Sequence, residues 1–177
     1  MPSLNDLLTP DLIVAHVRDI TPDLLAARGV RAVISDLDNT LVPWRSEQVA
    51  REITDWLLGL RASGVSVCIA SNTRHLSRLE RLADQMGILH VPENATKPRR
   101  RGLRTALGLL DAGPDETAMV GDQLFTDVLA GNRLGLTTIL VNPLAPREFV
   151  GTRLVSRNLE RLVLRGSRQR AGGSGGG

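Results

Sequence analysis

The stretch Asp36-Leu37-Asp38-Asn39-Thr40 sets two carboxylates one residue apart, with a hydroxyl two residues on, at the end of the apolar run Ala32-Val33-Ile34. On a continuing strand Asp36 and Asp38 would point the same way. Like charges that close repel unless a cation lies between them or one is protonated. The pair therefore asks for a divalent metal, and hard oxygen ligands with room for water suit Mg²⁺. An Asp-x-Asp pair by itself is common in loops. What lifts this one is its company: Ser71 follows the apolar run 65–70, Lys97 comes after 88–91, and Asp122 after 117–120. These chain segments deliver carboxylates, a hydroxyl and an ammonium to the ends of apolar runs. The set suits phosphoryl transfer, with a metal to neutralise phosphate oxygens, a carboxylate nucleophile and a cation to hold the phosphate. Lys97 is the single lysine beside 21 arginines, as expected of a place where a planar guanidinium does not serve.

The elements that must position these residues follow from periodicity. Apolar runs at 30–35, 65–70, 88–91, 117–120 and 137–141 read as strands. Between them, helices are expected over 22–28 (Thr21 as N-cap, Pro22 in the first turn), 47–62 (capped by Ser46) and 75–86, the last with Leu76, Leu79, Leu82, Ala83 and Met86 on one face. A further helix begins at Pro98, and another follows 123–127 and ends near Gly135. Residues 11–19 read as a short helix or an irregular packed segment. Strands alternating with helices predict a three-layer α/β/α domain with a central parallel sheet of about five strands. In such sheets ligands bind beyond the carboxyl ends of the strands, where Asp36, Asp38, Ser71, Lys97 and Asp122 fall.

A chain of 177 residues, 42% hydrophobic and 23% charged, is expected to be one soluble domain over 1–166, with the motif-bearing core at 30–142. No apolar window reaches the ~18 residues of a membrane span, and the N-terminal stretch lacks the pattern of a signal peptide. The lone cysteine, Cys68, sits in an apolar run and reads as a buried small hydrophobe. These features point to a reducing cytoplasmic setting. Residues 152–165 read as an amphipathic helix on which Arg153, Arg157, Arg161 and Arg165 form a basic stripe. The Gly-rich segment 167–177 reads as a disordered tail.

With the residues laid out, Asp36-Leu37-Asp38-Asn39-Thr40 resembles motif I of the haloacid dehalogenase (HAD) superfamily of phosphatases. Ser71, Lys97-Pro98 and Gly121-Asp122 with Asp127 resemble its motifs II, III and IV, in order. Asp-Leu-Asp-Asn-Thr-Leu-Val-Pro-Trp (36–44), Ser-Asn-Thr (71–73) and 121–127 are similar to the YqeG branch of subclass IIIA, which is itself similar to phosphatases acting on phosphatidylglycerophosphate. The resemblance implies a Rossmann-like fold and Mg²⁺ as cofactor. It makes Asp36 the nucleophile and a metal ligand, and Asp38 the general acid and base, with its carbonyl on the metal. Ser71 would bind a phosphate oxygen, Lys97 would neutralise Asp36 and the phosphate, and Asp122 would ligate the metal. Asp127 would hold metal waters or Lys97. Around these, Thr40, Trp44, Asn72, Thr73 and Arg99 are candidates for substrate contact. Plainer readings stand beside these: Ser71-Asn72-Thr73 as a helix cap, Asp127 as a first-turn acid and Arg99-Arg100-Arg101 as a solvated face.

Spacing bears on the substrate. Only 30 residues separate Thr40 from Ser71 and only 25 separate Ser71 from Lys97, each consumed by one helix and one strand, so no cap domain is expected over the site. An open site favours a bulky substrate, and the leading expectation is an anionic phospholipid head group, phosphatidylglycerophosphate, with the arginine stripe touching an anionic membrane. The alternatives are a soluble sugar phosphate, nucleotide or phosphoprotein, or a non-catalytic metal-binding module associated with a ribosome or GTPase. With few aromatic residues to stack on bases, no nucleic-acid partner is expected.

Overall fold

A computed structural model describes residues 3–144. The basic helix expected over 152–165 and the Gly-rich tail lie outside the described residues.

Parallel strands buried on both faces must be apolar nearly throughout. Four such strands form the middle of the sheet: β2 (Ala32–Ser35), β3 (Ser66–Ile69), β5 (Thr117–Gly121) and β6 (Thr137–Val141). The edges are short, β1 (Leu12–Val14) and β4 (Leu89–His90). All pairings are parallel, in the order β1-β6-β5-β2-β3-β4. The sheet thus has six strands rather than five. The extra one is β1, within the segment expected to be helical or irregular. Its three half-buried residues carry no periodicity. It is anchored instead by the residue before it: Asp11 accepts from the N–H and the hydroxyl of Thr138 at 2.7 and 3.0 Å, and returns its own N–H to that hydroxyl.

Six α-helices accompany the sheet among the described residues: α1 (Leu4–Leu7), α2 (Pro22–Ala26), α3 (Arg51–Ala62), α4 (Leu76–Met86), α5 (Arg101–Leu110) and α6 (Leu129–Asn132). Alternation along the strands turns Val33, Val67, Ile69, Val120 and Ile139 toward Leu25, Ile53, Leu57, Leu60, Leu79 and Leu82, from α2, α3 and α4. Ala32, Ile34, Cys68 and Met119 instead meet Leu103, Ala106, Leu110 and Ala130, from α5 and α6. Two apolar clusters divided by one sheet make the three-layer arrangement. Cys68 is buried, and burial pushes its thiol up to about 12, so it packs rather than reacts.

Two helix starts and one helix face differ from expectation. The Ser46 hydroxyl accepts the Gln48 N–H and donates to the Gln48 carbonyl, closing its own turn, and α3 begins at Arg51 with no side-chain cap. The helix expected at Pro98 starts at Arg101. Gly102 in its first turn lies so close to Ala95 that a Cβ would stand 2.5 Å from the Ala95 backbone. On α4, Leu76 is exposed while Arg78 is buried.

β2 lies at the centre, with β3 and β4 to one side and β5, β6 and β1 to the other. The switch point of the topology is therefore the β2/β5 crevice. The sheet's hydrogen bonds continue just past the strands: Asp36 N–H donates to Val120 and Ala70 N–H to Ser35, each at 2.9 Å. Between β2 and β3 the only helix is α3, and between β3 and Lys97 there are only α4 and β4. Among the described residues, no cap domain interrupts the chain.

Candidate active site

Beyond Ser35 the chain curls instead of extending. Leu41 and Val42 N–H donate to the Leu37 carbonyl at 2.9 and 3.1 Å, and Asn39 N–H donates to the Val42 carbonyl at 2.7 Å. Asn39 takes φ 64°, a left-handed conformation that asparagine tolerates. Asp36 and Asp38 therefore lie on a tight loop and not on a strand. The expectation of two carboxylates aimed the same way around one cation gives way to two separate stations.

At the first station, Asp36 is 6% exposed and accepts from Lys97 Nζ at 2.9 Å. Lys97 Nζ also lies 2.7 Å from Asp127 Oδ1. Burial lifts the Asp36 carboxyl to about 6, against the pull of the Lys97 ammonium and aided by the Asp127 charge. Burial pulls the Lys97 ammonium down, but Asp127 and Asp36 outweigh it and hold it above its ordinary value, so Lys97 stays charged. One oxygen each from Asp36, Asp122 and Asp127 lie within 4.8 Å of one another. Three carboxylates against one ammonium leave excess negative charge that a divalent cation would balance. The donors are all hard oxygens, so the residues fit Mg²⁺.

Local structure explains the placement of each. Asp122 follows β5. Asp127 sits in an i→i+5 turn, Leu124–Val128, a widened helical turn often found at functional sites. Its Oδ2 accepts the Gln123 N–H at 3.1 Å. Gly121 is required beneath it, since a Cβ there would lie 2.2 Å from Asp127 Oδ2. Lys97 is fixed through its backbone: Asn72 Nδ2 donates to the Lys97 carbonyl at 2.8 Å, and Asn72 Oδ1 accepts the Lys97 N–H at 2.7 Å. The Asn72 amide, expected to face substrate, is thus engaged with the chain that carries Lys97.

At the second station, Asp38 meets Arg78 from α4. Arg78 Nη2 donates to Asp38 Oδ1 at 2.9 Å and Nη1 to Oδ2 at 3.1 Å. Arg45 N–H adds a third bond to Oδ1 at 3.1 Å. Arg78 also donates from Nε and Nη2 to the Ser46 carbonyl at 3.0 and 2.7 Å. No motif in the sequence singles out Arg78, although positions 78, 82 and 86 share the buried stripe of α4 at i, i+4 spacing. A cation inside an apolar stripe was the available signal.

Ser71 is buried at the end of β3, its Oγ accepting the Thr73 N–H at 3.2 Å, while Thr73 Oγ1 accepts the His75 N–H at 3.1 Å. Short turns thus lead from the sheet into α4, whose N-cap, His75, makes no side-chain cap bond. Thr40 is 1% exposed, and its hydroxyl has no hydrogen-bond partner among the described residues. Such a buried orphan is costly unless something binds it. Trp44 is half exposed with the Arg45 guanidinium 5.7 Å from its ring centroid, and Arg99 is exposed.

The HAD-hydrolase-like family model matches residues 94–143, the stretch carrying Lys97, Asp122 and Asp127. Over 161 residues the chain is 35% identical to "Probable phosphatase YqeG" of Bacillus subtilis (strain 168), covering 91% of this chain and 92% of that one. It is 28% identical over 165 residues to phosphatidylglycerophosphate phosphatase 1, chloroplastic/mitochondrial, of Arabidopsis thaliana, covering 88% of this chain and 46% of the plant protein. A crystal structure of an uncharacterized protein from Listeria monocytogenes serotype 4b shares the fold, with a TM-score of 0.53 at 20% identity over 68% of this chain and 85% of that one. Fold and site together define a phosphatase of the HAD superfamily. Within that class the chain belongs to the YqeG family.

Proposed function

We propose that this protein is a Mg²⁺-dependent phosphomonoesterase that works through an aspartyl-phosphate on Asp36 and that its substrate is phosphatidylglycerophosphate. The observation that carries the mechanism is the split between a buried carboxylate paired with Lys97 at the switch point and a second carboxylate, Asp38, held apart from it. Asp36 attacks phosphorus as the bond to the leaving oxygen breaks, and Asp38, which enters this step protonated, gives that oxygen its proton. Asp38 then takes a proton from water, which attacks the same phosphorus. The bond to Asp36 breaks, and inorganic phosphate leaves with the Asp36 carboxylate restored. Lys97 balances charge at Asp36 throughout, and the Ser71 hydroxyl donates to a phosphate oxygen. Mg²⁺ held by Asp36, Asp122 and the Asp38 carbonyl, with Asp127 on its waters or ligating directly, would supply neutralisation of phosphate oxygens.

Two observations support the lipid substrate. One is the likeness to the plant enzyme named for it. The other is the absence of a cap among the described residues, which leaves the site open to a head group still anchored in a bilayer. Among the described residues no helix is long and apolar enough to cross a membrane, so access to lipid would be peripheral. Purified protein with Mg²⁺ is expected to release phosphate from phosphatidylglycerophosphate in mixed micelles, with release abolished by chelation and by Asp36→Asn. Faster turnover of soluble phosphate esters than of the lipid would overturn the substrate and leave the phosphatase intact.

A further inference from the structure

We propose that Arg78 is the positioning residue of the acid–base step, and that it reserves Asp38 Oδ2 as the atom that moves the proton. The proposal rests on the reading of Asp38 as general acid and base given above.

The starting point is how Asp38 is bonded. Oδ1 accepts two N–H groups, from Arg78 Nη2 at 2.9 Å and Arg45 at 3.1 Å, whereas Oδ2 accepts one, from Arg78 Nη1 at 3.1 Å. A carboxylate oxygen has two lone-pair directions. Among the described residues Oδ1 has both filled and Oδ2 has one open. The planar guanidinium fork meets both oxygens side by side and so fixes the plane of the carboxylate as well as its place. A lysine at the same position would offer a point charge without that plane.

The fork is itself fixed. Arg78 is 6% exposed and flanked on α4 by fully buried Leu79 and Leu82. Its remaining bonds go to the Ser46 carbonyl, which ties down the loop that supplies the Arg45 N–H. One side chain therefore holds both the carboxylate and the loop that fills its other lone pair. The clamp also explains why Asp38 stands outside the carboxylate cluster of Asp36, Asp122 and Asp127. An unheld carboxylate two residues from Asp36 could swing toward that cluster and a bound cation. Stability alone accounts poorly for the arrangement, because a buried ion pair is commonly matched or bettered by apolar packing of the same volume.

The test uses leaving groups. Full-length protein with Mg²⁺ is assayed on p-nitrophenyl, phenyl and benzyl phosphate, as wild type, Arg78→Gln, Arg78→Lys, Asp38→Asn and the double Asp38→Asn/Arg78→Gln. p-Nitrophenolate leaves without a proton, and benzyl alkoxide does not. Arg78→Gln is expected to lower kcat/KM, which reports only the steps through departure of the leaving group, by roughly 10²-fold on benzyl phosphate and by less than about threefold on p-nitrophenyl phosphate. In the Asp38→Asn background the Arg78 change should add nothing on benzyl phosphate. Arg78→Lys keeps the charge without the fork, and should show a smaller loss with the same dependence on leaving group. It decides the matter should Arg78→Gln fail to fold.

A loss in kcat/KM uniform across the three esters, full activity in the Arg78 variants, or additive losses in the double variant would each overturn the proposal while leaving the phosphatase standing. Wild-type protein that hydrolyses none of the esters and does not bind beryllofluoride would overturn the phosphatase reading and this inference with it.

Discussion

Around Asp36 the counter-charge is one buried ammonium shared with Asp127. Around Asp38 it is a guanidinium shared with the Ser46 carbonyl. The first arrangement gathers carboxylates, leaves them short of positive charge and lifts Asp36 to about 6. The second isolates one carboxylate and surrounds it with donors. Two acids separated by a single residue are thereby given different work by their neighbours, a division of roles set by environment and not by residue type. The difference also shows why the chain needs its one lysine. Nζ meets two carboxylates at 2.9 and 2.7 Å in a space where the side chain is 1% exposed, and a fork would not enter there without displacing one of them.

The comparison is broken most severely at Lys97. Lys97→Ala leaves the first station without its cation, and should cost roughly 3–5 kcal/mol in urea unfolding of chelator-treated protein and abolish turnover. Lys97→Arg should restore the charge but not the activity. Recovery of turnover in the arginine variant would show that the two stations are electrostatically interchangeable.

The next effect appears in pH. Asp36 holds its proton up to about 6 in the folded chain, above its ordinary 3.8. The fold thus binds a proton that the unfolded chain releases, and stability from this group is present at low pH and lost as pH rises through about 6. The thermal midpoint of chelator-treated wild type should fall between about pH 4 and 6. Asp36→Asn should flatten that step, and added Mg²⁺ should suppress it. A step unchanged in the variant would assign it to other groups.

The smallest effect is expected at Asn72. Asn72→Ala removes two hydrogen bonds to the Lys97 backbone, and should cost about 1–2 kcal/mol. It should slow all three phosphate esters alike, because it disturbs the first station only. A leaving-group dependence like that expected for Arg78 would mean that the stations are coupled.

Much of this was legible in the sequence. The central strands declared themselves as uninterrupted apolar runs because parallel strands are buried on both faces, and Asp36, Ser71, Lys97 and Asp122 could be placed at one sheet edge from strand ends alone. What escaped was decided by contacts between distant segments. β1 is three half-buried residues whose pairing depends on Asp11 meeting Thr138. The start of α3 moved because Ser46 closes a turn that presents its carbonyl to Arg78. Arg78 itself was hidden among 21 arginines, most of them plausible as solvated charge. The direction of Asp38 could not be read without it.

The solitary lysine has a practical side as well. Apart from the α-amino group, an amine-reactive reagent finds one target in the chain, and folding sequesters it between two carboxylates that keep it protonated and so non-nucleophilic. Acylation of Lys97 therefore requires the heart of the site to open. Mass-spectrometric counting of acylated chains would measure, without substrate and without a mutation, how often that happens.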